Sequence, residues 1–289
     1  MSAVAVPLVP SQAKIARRET RRALLHSKTF IAGALIIAWW VFCAIFGNSI
    51  APQDPLNQTS SVLSAPGAHH LFGTDQLGRD VFSRVLAGAR SILTIAPAAT
   101  ALAIAAGTSL GLITGYFRGA VDDIVSRLIE AVLSLPLIVL AVVIAVAVGH
   151  STITLVVVVG VLFTPLVART VRAAVLAERE LDYVPSARLR GERAPYVMFA
   201  EILPNVTGPI IVEATVRLGY AIFTIAGLTF LGFGVQPPSP DWALQIADNY
   251  TLLAARSYWW TVLPPAIAIG SLVIAINLMA DGLSQVLER

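Results

Sequence analysis

Across 289 residues the chain is 56% hydrophobic and 13% charged, with a mean hydropathy of +0.78. Soluble globular domains carry charge on about a quarter of their residues, so this composition excludes that class and specifies an integral membrane protein. The net charge of +3 forms no stripe for nucleic acid, because the basic residues sit at the ends of apolar runs, where they set topology. Cys43 is the only cysteine, which excludes a disulfide framework or a cysteine-built metal or iron–sulfur site.

Residues 1–28 read as a cytoplasmic N-terminal tail, with Lys14, Arg17, Arg18, Arg21, Arg22 and Lys28 as the positive-inside signal. Residues 29–53 carry no charge and are longer than the apolar part of a signal peptide, so they are expected to form an uncleaved first transmembrane helix. Residues 54–90 follow as an extracytoplasmic segment, and the remainder, 91–289, as a core of five further helices. Within it Ser91–Phe117 is a second uncharged run that returns the chain inward.

A short inner segment over 118–130 precedes 38 uncharged residues, 131–168. One helix of that length would reach about 57 Å, against a hydrocarbon core of roughly 30 Å. The run is therefore expected to be two short spans joined by an outer turn at Gly149-His150-Ser151-Thr152. From Arg169 to Glu201 the chain turns polar, with 11 charges in 33 residues. A fifth span then runs to about Gly232 and ends at the proline-rich Gln236–Pro240. Tyr258, Trp259 and Trp260 fit an interfacial aromatic belt before a sixth span, 261–280, and an inner tail. With six spans and both termini inside, 15 of the 20 basic residues fall on the inner side. Arg79, Arg84, Arg90 and Arg256 fall outside, and Arg217 lies within a span.

A solute-moving membrane protein needs a source of energy. A phosphate-binding P-loop requires Gly-Lys-Ser/Thr, and neither lysine, Lys14 or Lys28, follows a glycine. An ATP-driven reading therefore requires a separate ATPase.

Three stretches carry a family resemblance. Ala187, Gly191, Leu203 and Pro204 fit the spacing of the EAA loop of ABC importer permeases. Leu71 to Arg84, with Gly88-Ala89-Arg90-Ser91, is similar to the signature that follows the first span of the C-type dipeptide and oligopeptide permeases. Phe230-Leu231-Gly232-Phe233-Gly234-Val235-Gln236-Pro237-Pro238 is a third match. The chain resembles a DppC/OppC-type permease.

That resemblance implies an all-α integral membrane protein with six transmembrane helices, cytoplasmic termini and the type I ABC importer permease fold, in a bacterial inner membrane. It implies a B-type permease as heterodimer partner, two ATPase subunits or one fused ATPase, and an extracytoplasmic solute-binding protein. ATP and Mg would be bound by the ATPase and no cofactor by this chain, which is then no enzyme. Short peptides are the expected substrate, with haem, glutathione or nickel as alternatives within the family. The cytoplasmic coupling loop, 170–204, would fold as two short helices that dock on the ATPase through Tyr183, Pro185, Ser186, Ala187, Arg188, Arg190, Gly191, Glu192, Leu203 and Pro204. The loop departs from the family at three places: Pro185 replaces the usual Glu, Ser186 the first Ala, and Glu201 an Ile. Pro185 is compatible with the first turn of a helix.

Other residues have two readings. Asp75, Arg79, Asp80 and Arg84 either contact the binding protein at an outer rim or satisfy one another in a folded segment, with Gly73 and Gly78 at tight turns. Glu213 and Arg217, four apart, are candidates for the translocation pathway or a structural pair. Asn277 and Asp281 have the same spacing and read as structural. Gly107-Thr108-Ser109-Leu110-Gly111 spells a hydrolase motif, and an intramembrane serine hydrolase using Ser109 and His150 is the alternative of a different class. Gly107, Gly111 and Gly115 read better as a small-residue ladder for close helix packing. A passive channel is a third possibility. His69-His70 reads as loop rather than metal site.

Overall fold

The computed structural model describes residues 26–149, 151–256 and 258–287. Residues 1–25 of the basic tail, His150 and Arg289 lie outside them. Among the described residues the regular secondary structure is all helix, with one isolated bridge between Thr74 and Asp80. The helices are α1 (Lys28–Ile50), α2 (Val81–Phe117), α3 (Gly119–Leu133), α4 (Leu137–Val148), α5 (Thr152–Glu178) and α6 (Tyr183–Leu189). Then comes α7, made of Ala194–Tyr196, a π-helical turn Val197–Ile202 and Leu203–Asn205, followed by α8 (Thr207–Phe230), α9 (Trp242–Arg256) and α10 (Leu263–Leu287).

Five of these, α1, α2, α5, α8 and α10, are long and apolar enough to cross a membrane. The sixth candidate is the pair α3 and α4, bent by 88°. The first of the two short spans expected in 131–168 is thereby broken near its start. Pro136 cannot donate a backbone hydrogen bond and disfavours helix at the residue before it, so the helix stops at Leu133 and restarts at Leu137. The restarted α4 has 12 residues, about 18 Å, well short of the ~30 Å core. The expected break before α5 is present, with Gly149 at φ +100° and Ser151 capping α5 by accepting from Thr154 N at 3.0 Å. Span two also begins earlier than Ser91: α2 starts at Val81, where Asp80 caps it, and its 37 residues extend about 55 Å.

The centre of the bundle is the contact of α2 with α5. A Cβ on Gly107 would lie 2.5 Å from Val167 Cβ, one on Gly111 2.7 Å from Val171 Cβ, and one on Gly115 2.7 Å from Val175 Cγ1. Three glycines four apart thus receive three valines four apart, and the two backbones approach closely, as the ladder predicts. Ser109 lies on the same stretch of helix, its hydroxyl donating to the Ala105 carbonyl at 2.8 Å. Among the described residues no strand precedes it, and Ser109 sits mid-helix rather than on a strand–turn–helix elbow. Around this core α1 packs on α2 and α10, and the start of α1 meets the end of α10 where Phe30 lies against Gly282.

The bundle has two polar ends. One, the cap, comprises residues 51–80, 231–256 and 258–262. The other carries the α6–α7 hairpin, and the start of α1 and the end of α10 lie away from the cap.

Gly111→Leu should lower the thermal unfolding temperature of the purified protein, at a cost of about 1–3 kcal/mol from overpacking. Adding Val171→Ala should recover part of that loss, whereas Gly208→Leu, where a side chain meets open space, should cost less.

Candidate functional site

The α6–α7 hairpin is built by local sequence. Tyr183 starts α6, and Pro185 sits in its first turn, where its missing N–H costs no helical hydrogen bond. Gly191 ends the helix at φ +78°, with its N–H bonded to Arg188 O at 3.0 Å and the Glu192 N–H to Ala187 O at 3.2 Å. Nothing crowds a Cβ at Gly191, so its backbone conformation alone calls for glycine. The chain reverses over residues 190–193 and returns as α7.

Burial divides the hairpin into an anchored and a presented face. Val184, Ala187, Val197, Met198 and Ile202 are buried against one another and the bundle. Leu181, Pro185, Ser186, Arg188, Arg190, Pro204, Tyr196 and Phe199 are exposed, and Leu189 is 89% exposed at the tip. A leucine so bare beside half-exposed aromatic rings is an unpartnered apolar tip on a polar hairpin.

The hairpin is fastened to the ends of α2 and α5. The Arg188 guanidinium lies over the Tyr116 ring at 4.6 Å, and Arg179 donates to the Tyr116 carbonyl at 2.5 Å. Arg118, at φ +55° between α2 and α3, pairs with Glu180 at 2.5 Å. Tyr183 donates to Glu178 Oε1 at 3.0 Å and accepts from Asn205 at 3.2 Å. Burial lifts its phenol above the ordinary range, so it stays a donor. Inside the hairpin Arg190 reaches Glu192 at 2.8 Å and Glu201 at 3.5 Å. The unusual Glu201 is thereby a tie between α6 and α7. One step further along α2 and α5, Arg172 grips Asp122 of α3 with two bonds of 2.5 and 2.6 Å.

The cap is a second polar construction. Asp75 Oδ1 accepts from the backbone of Leu77 at 2.9 Å and Arg79 at 3.0 Å, while its Oδ2 takes Arg79 Nε at 2.7 Å. Arg79 continues to Asp248 of α9 at 3.2 Å. Arg84, 0% exposed, donates to the carbonyls of Pro55 at 3.4 Å and Ser239 at 3.1 Å, with its Nε 3.7 Å from Asp75. Asp80 caps α2 through Ser83 N at 2.8 Å and lies 3.0 Å from His70 Nδ1. Trp242 bonds Val85 O at 2.7 Å and stacks edgewise on Trp40. Asp241 caps α9 by accepting from Ala243 and Leu244 at 2.9 and 3.1 Å. Burial raises its carboxyl above the usual range, opposed by those bonds and the Arg84 charge.

All four residues expected at an outer rim, Asp75, Arg79, Asp80 and Arg84, are therefore buried and engaged with their neighbours. Their side chains offer no surface: they hold the cap together. His70, read only as loop, is part of that cap through Asp80 and Gln53. In α8, Arg217 Nε donates to Glu213 Oε1 at 2.5 Å, and the Arg217 guanidinium lies 5.2 Å from the Tyr220 ring centre. Asn277 and Asp281 are exposed in α10 and share no hydrogen bond.

A hairpin with an apolar tip on a bundle of five or six spans sets the context for the comparisons. Residues 107–289 match the family described as binding-protein-dependent transport system inner membrane component. The chain belongs to that family. Curated relatives agree along nearly the whole length. The chain is 39% identical over 290 residues to the dipeptide transport system permease protein DppC of Escherichia coli K12, covering 98% of this chain and 94% of that one. It is 38% identical to the di/tripeptide transport system permease protein DppC of Pseudomonas aeruginosa UCBPP-PA14, covering 94% and 91%. The dipeptide permease DppC of Alkalihalophilus pseudofirmus is 36% identical, with 94% and 89% covered. As a member of this family the chain is a multi-pass component of a bacterial inner-membrane transport system, not an enzyme.

The burial of Arg84 has a measurable consequence. Arg84→Ala should cost about 3–5 kcal/mol in thermal unfolding, because removing one member of a buried ionic cluster strands the rest. Arg90→Ala, on the exposed side of α2, should change stability by less than about 0.5 kcal/mol.

Proposed function

We propose that this chain is the C-type permease subunit of an ATP-driven importer of short peptides, and that the α6–α7 hairpin couples it to an ATPase. The relatives named for dipeptide and di/tripeptide transport support the substrate class. In this reading a B-type permease supplies the other half of the pathway, an extracytoplasmic binding protein delivers peptide to the cap, and ATP with Mg is bound and hydrolysed by the partner ATPase. Both termini and the hairpin face the cytoplasm, in keeping with the bias of basic residues toward that side.

The observation that carries the coupling role is Leu189, 89% exposed at the tip of a hairpin whose other face is buried. A soluble ATPase with an apolar cleft would cover it, with Pro185, Ser186 and Arg188 on the same exposed side of α6. Ala187, Leu203 and Gly191 serve from beneath: Ala187 is small enough to be fully buried under the helix, Leu203 packs on the core, and Gly191 makes the reversal. Pro185 in place of the usual Glu removes one acidic contact, so apolar contact at Leu189 carries more of this subunit's docking. The grip of Arg188, Arg179 and Glu180 on the end of α2 transmits motion of the hairpin to the bundle.

Leu189→Asp should leave the protein folded, since the side chain supports nothing in the bundle, and should weaken co-purification of the ATPase by at least about tenfold, as for a central interface anchor. Peptide uptake should fall with it. Undiminished association and uptake in this variant, and in a deletion of residues 183–194, would rule out coupling through the hairpin.

A further inference from the structure

The α8 helix carries a polar stripe that neither the fold nor the coupling role uses. Glu213, Arg217, Tyr220 and Thr224 fall within about 60° of arc at ~3.6 residues per turn. Ile222 and Ile225 on the opposite arc, and Ala221 and Leu228 on its flank, are fully buried in the bundle. The stripe runs from buried Glu213 through half-buried Arg217 and Thr224 to Tyr220, 56% exposed, on a helix apolar enough to cross the bilayer. A charged pair facing lipid there would be costly, and such residues face water or protein instead.

The atoms of the pair show what it can accept. Arg217 uses Nε to reach Glu213 Oε1, which leaves the N–H groups of its two Nη atoms outside that bond. Among the described residues nothing is hydrogen-bonded to those Nη groups or to Glu213 Oε2. The Tyr220 ring under the guanidinium holds its plane. A planar fork suits a carboxylate, and a free carboxylate oxygen suits an ammonium group.

We propose that the Glu213–Arg217 pair is a passage point for the peptide zwitterion, Arg217 receiving the C-terminal carboxylate and Glu213 the N-terminal ammonium. The inference rests on the proposed function for its substrate class and adds residues that recognise that substrate inside the membrane. At rest the pair neutralises itself. A zwitterion that inserts replaces one ion pair by two, with no change in net charge, so no uncompensated charge is left in a low-dielectric site. The arrangement disregards side chains and reads the two termini, which is what a carrier of many peptide sequences needs.

The test uses the full complex in liposomes with its binding protein loaded with a dipeptide. Glu213→Gln, Arg217→Gln and the double variant should each lower uptake by at least about tenfold, while loaded binding protein still stimulates ATP hydrolysis. A pair with a merely structural role predicts that the double variant, which strands no charge, regains near wild-type uptake, and that result would overturn the proposal. In the wild-type complex, a dipeptide with a photo-crosslinking side chain should label Tyr220 or Thr224 during turnover, and labelling confined to other helices would equally overturn it. If the wild-type complex takes up no dipeptide at all, the peptide-import reading itself fails, and this inference with it.

Discussion

The approach of α2 to α5 is the constraint on which the rest of the structure depends. Three glycines on one helix and three valines on the other bring the backbones together along three turns. In a bilayer apolar side chains gain little by leaving lipid, so close packing must supply the association that water supplies elsewhere. The pair then acts as a spine, because α2 alone is about 55 Å long and ends in both polar regions. Its first turn carries Asp80 and Arg84 into the cap, and Tyr116 near its end meets the hairpin through Arg188 and the end of α5 through Arg179.

Both ends solve the same electrostatic problem by different means. In the cap, charge is buried and each Arg is shared among several acceptors: Arg79 between Asp75 and Asp248, Arg84 between two carbonyls and Asp75. Such a cluster is rigid, since moving one member leaves the others unpaired at low dielectric. At the hairpin end the ion pairs Arg118–Glu180 and Arg190–Glu192 are mostly exposed and screened by water, and each is worth little. The cap is thus built to stay together, whereas the hairpin can shift without a large electrostatic cost.

What the sequence revealed followed the range of each interaction. The spacing-four glycine ladder and the break at Gly149 are local patterns, and they were legible, whereas the two-helix form of the 183–205 stretch was implied by the family resemblance. The α3–α4 bend was signalled by Pro136, but a continuous run of apolar residues concealed it. Partners far apart in sequence were not legible. For Asp75 and Arg79 the choice between an outer rim and a self-satisfied segment stayed open because Asp248, Ser239 and Trp242, which bury and complete the cluster, lie some 160 residues on. Leu189 is one leucine among many in an oily chain, and only its exposure in the folded hairpin singles it out. The departure at Glu201 became intelligible through Arg190, its partner across the hairpin turn.

These placements constrain where the bundle can move. The α2–α5 spine is interlocked by side-chain shape, and the cap is interlocked by charge, so neither bends cheaply. The weak places are those with few ties: the Ser134–Pro136 break, where α3 and α4 meet at 88°, and the Gly149 turn between α4 and α5. α3 is held to α5 by the Arg172–Asp122 fork, so motion arriving at the end of α5 reaches α3 directly. α4 is left as the short segment that can change its tilt, and it packs against α8, the helix that bears the Glu213–Arg217 stripe. A hairpin displacement would thus reach the polar stripe through α5, α3 and α4, while the cap and the spine keep their internal geometry.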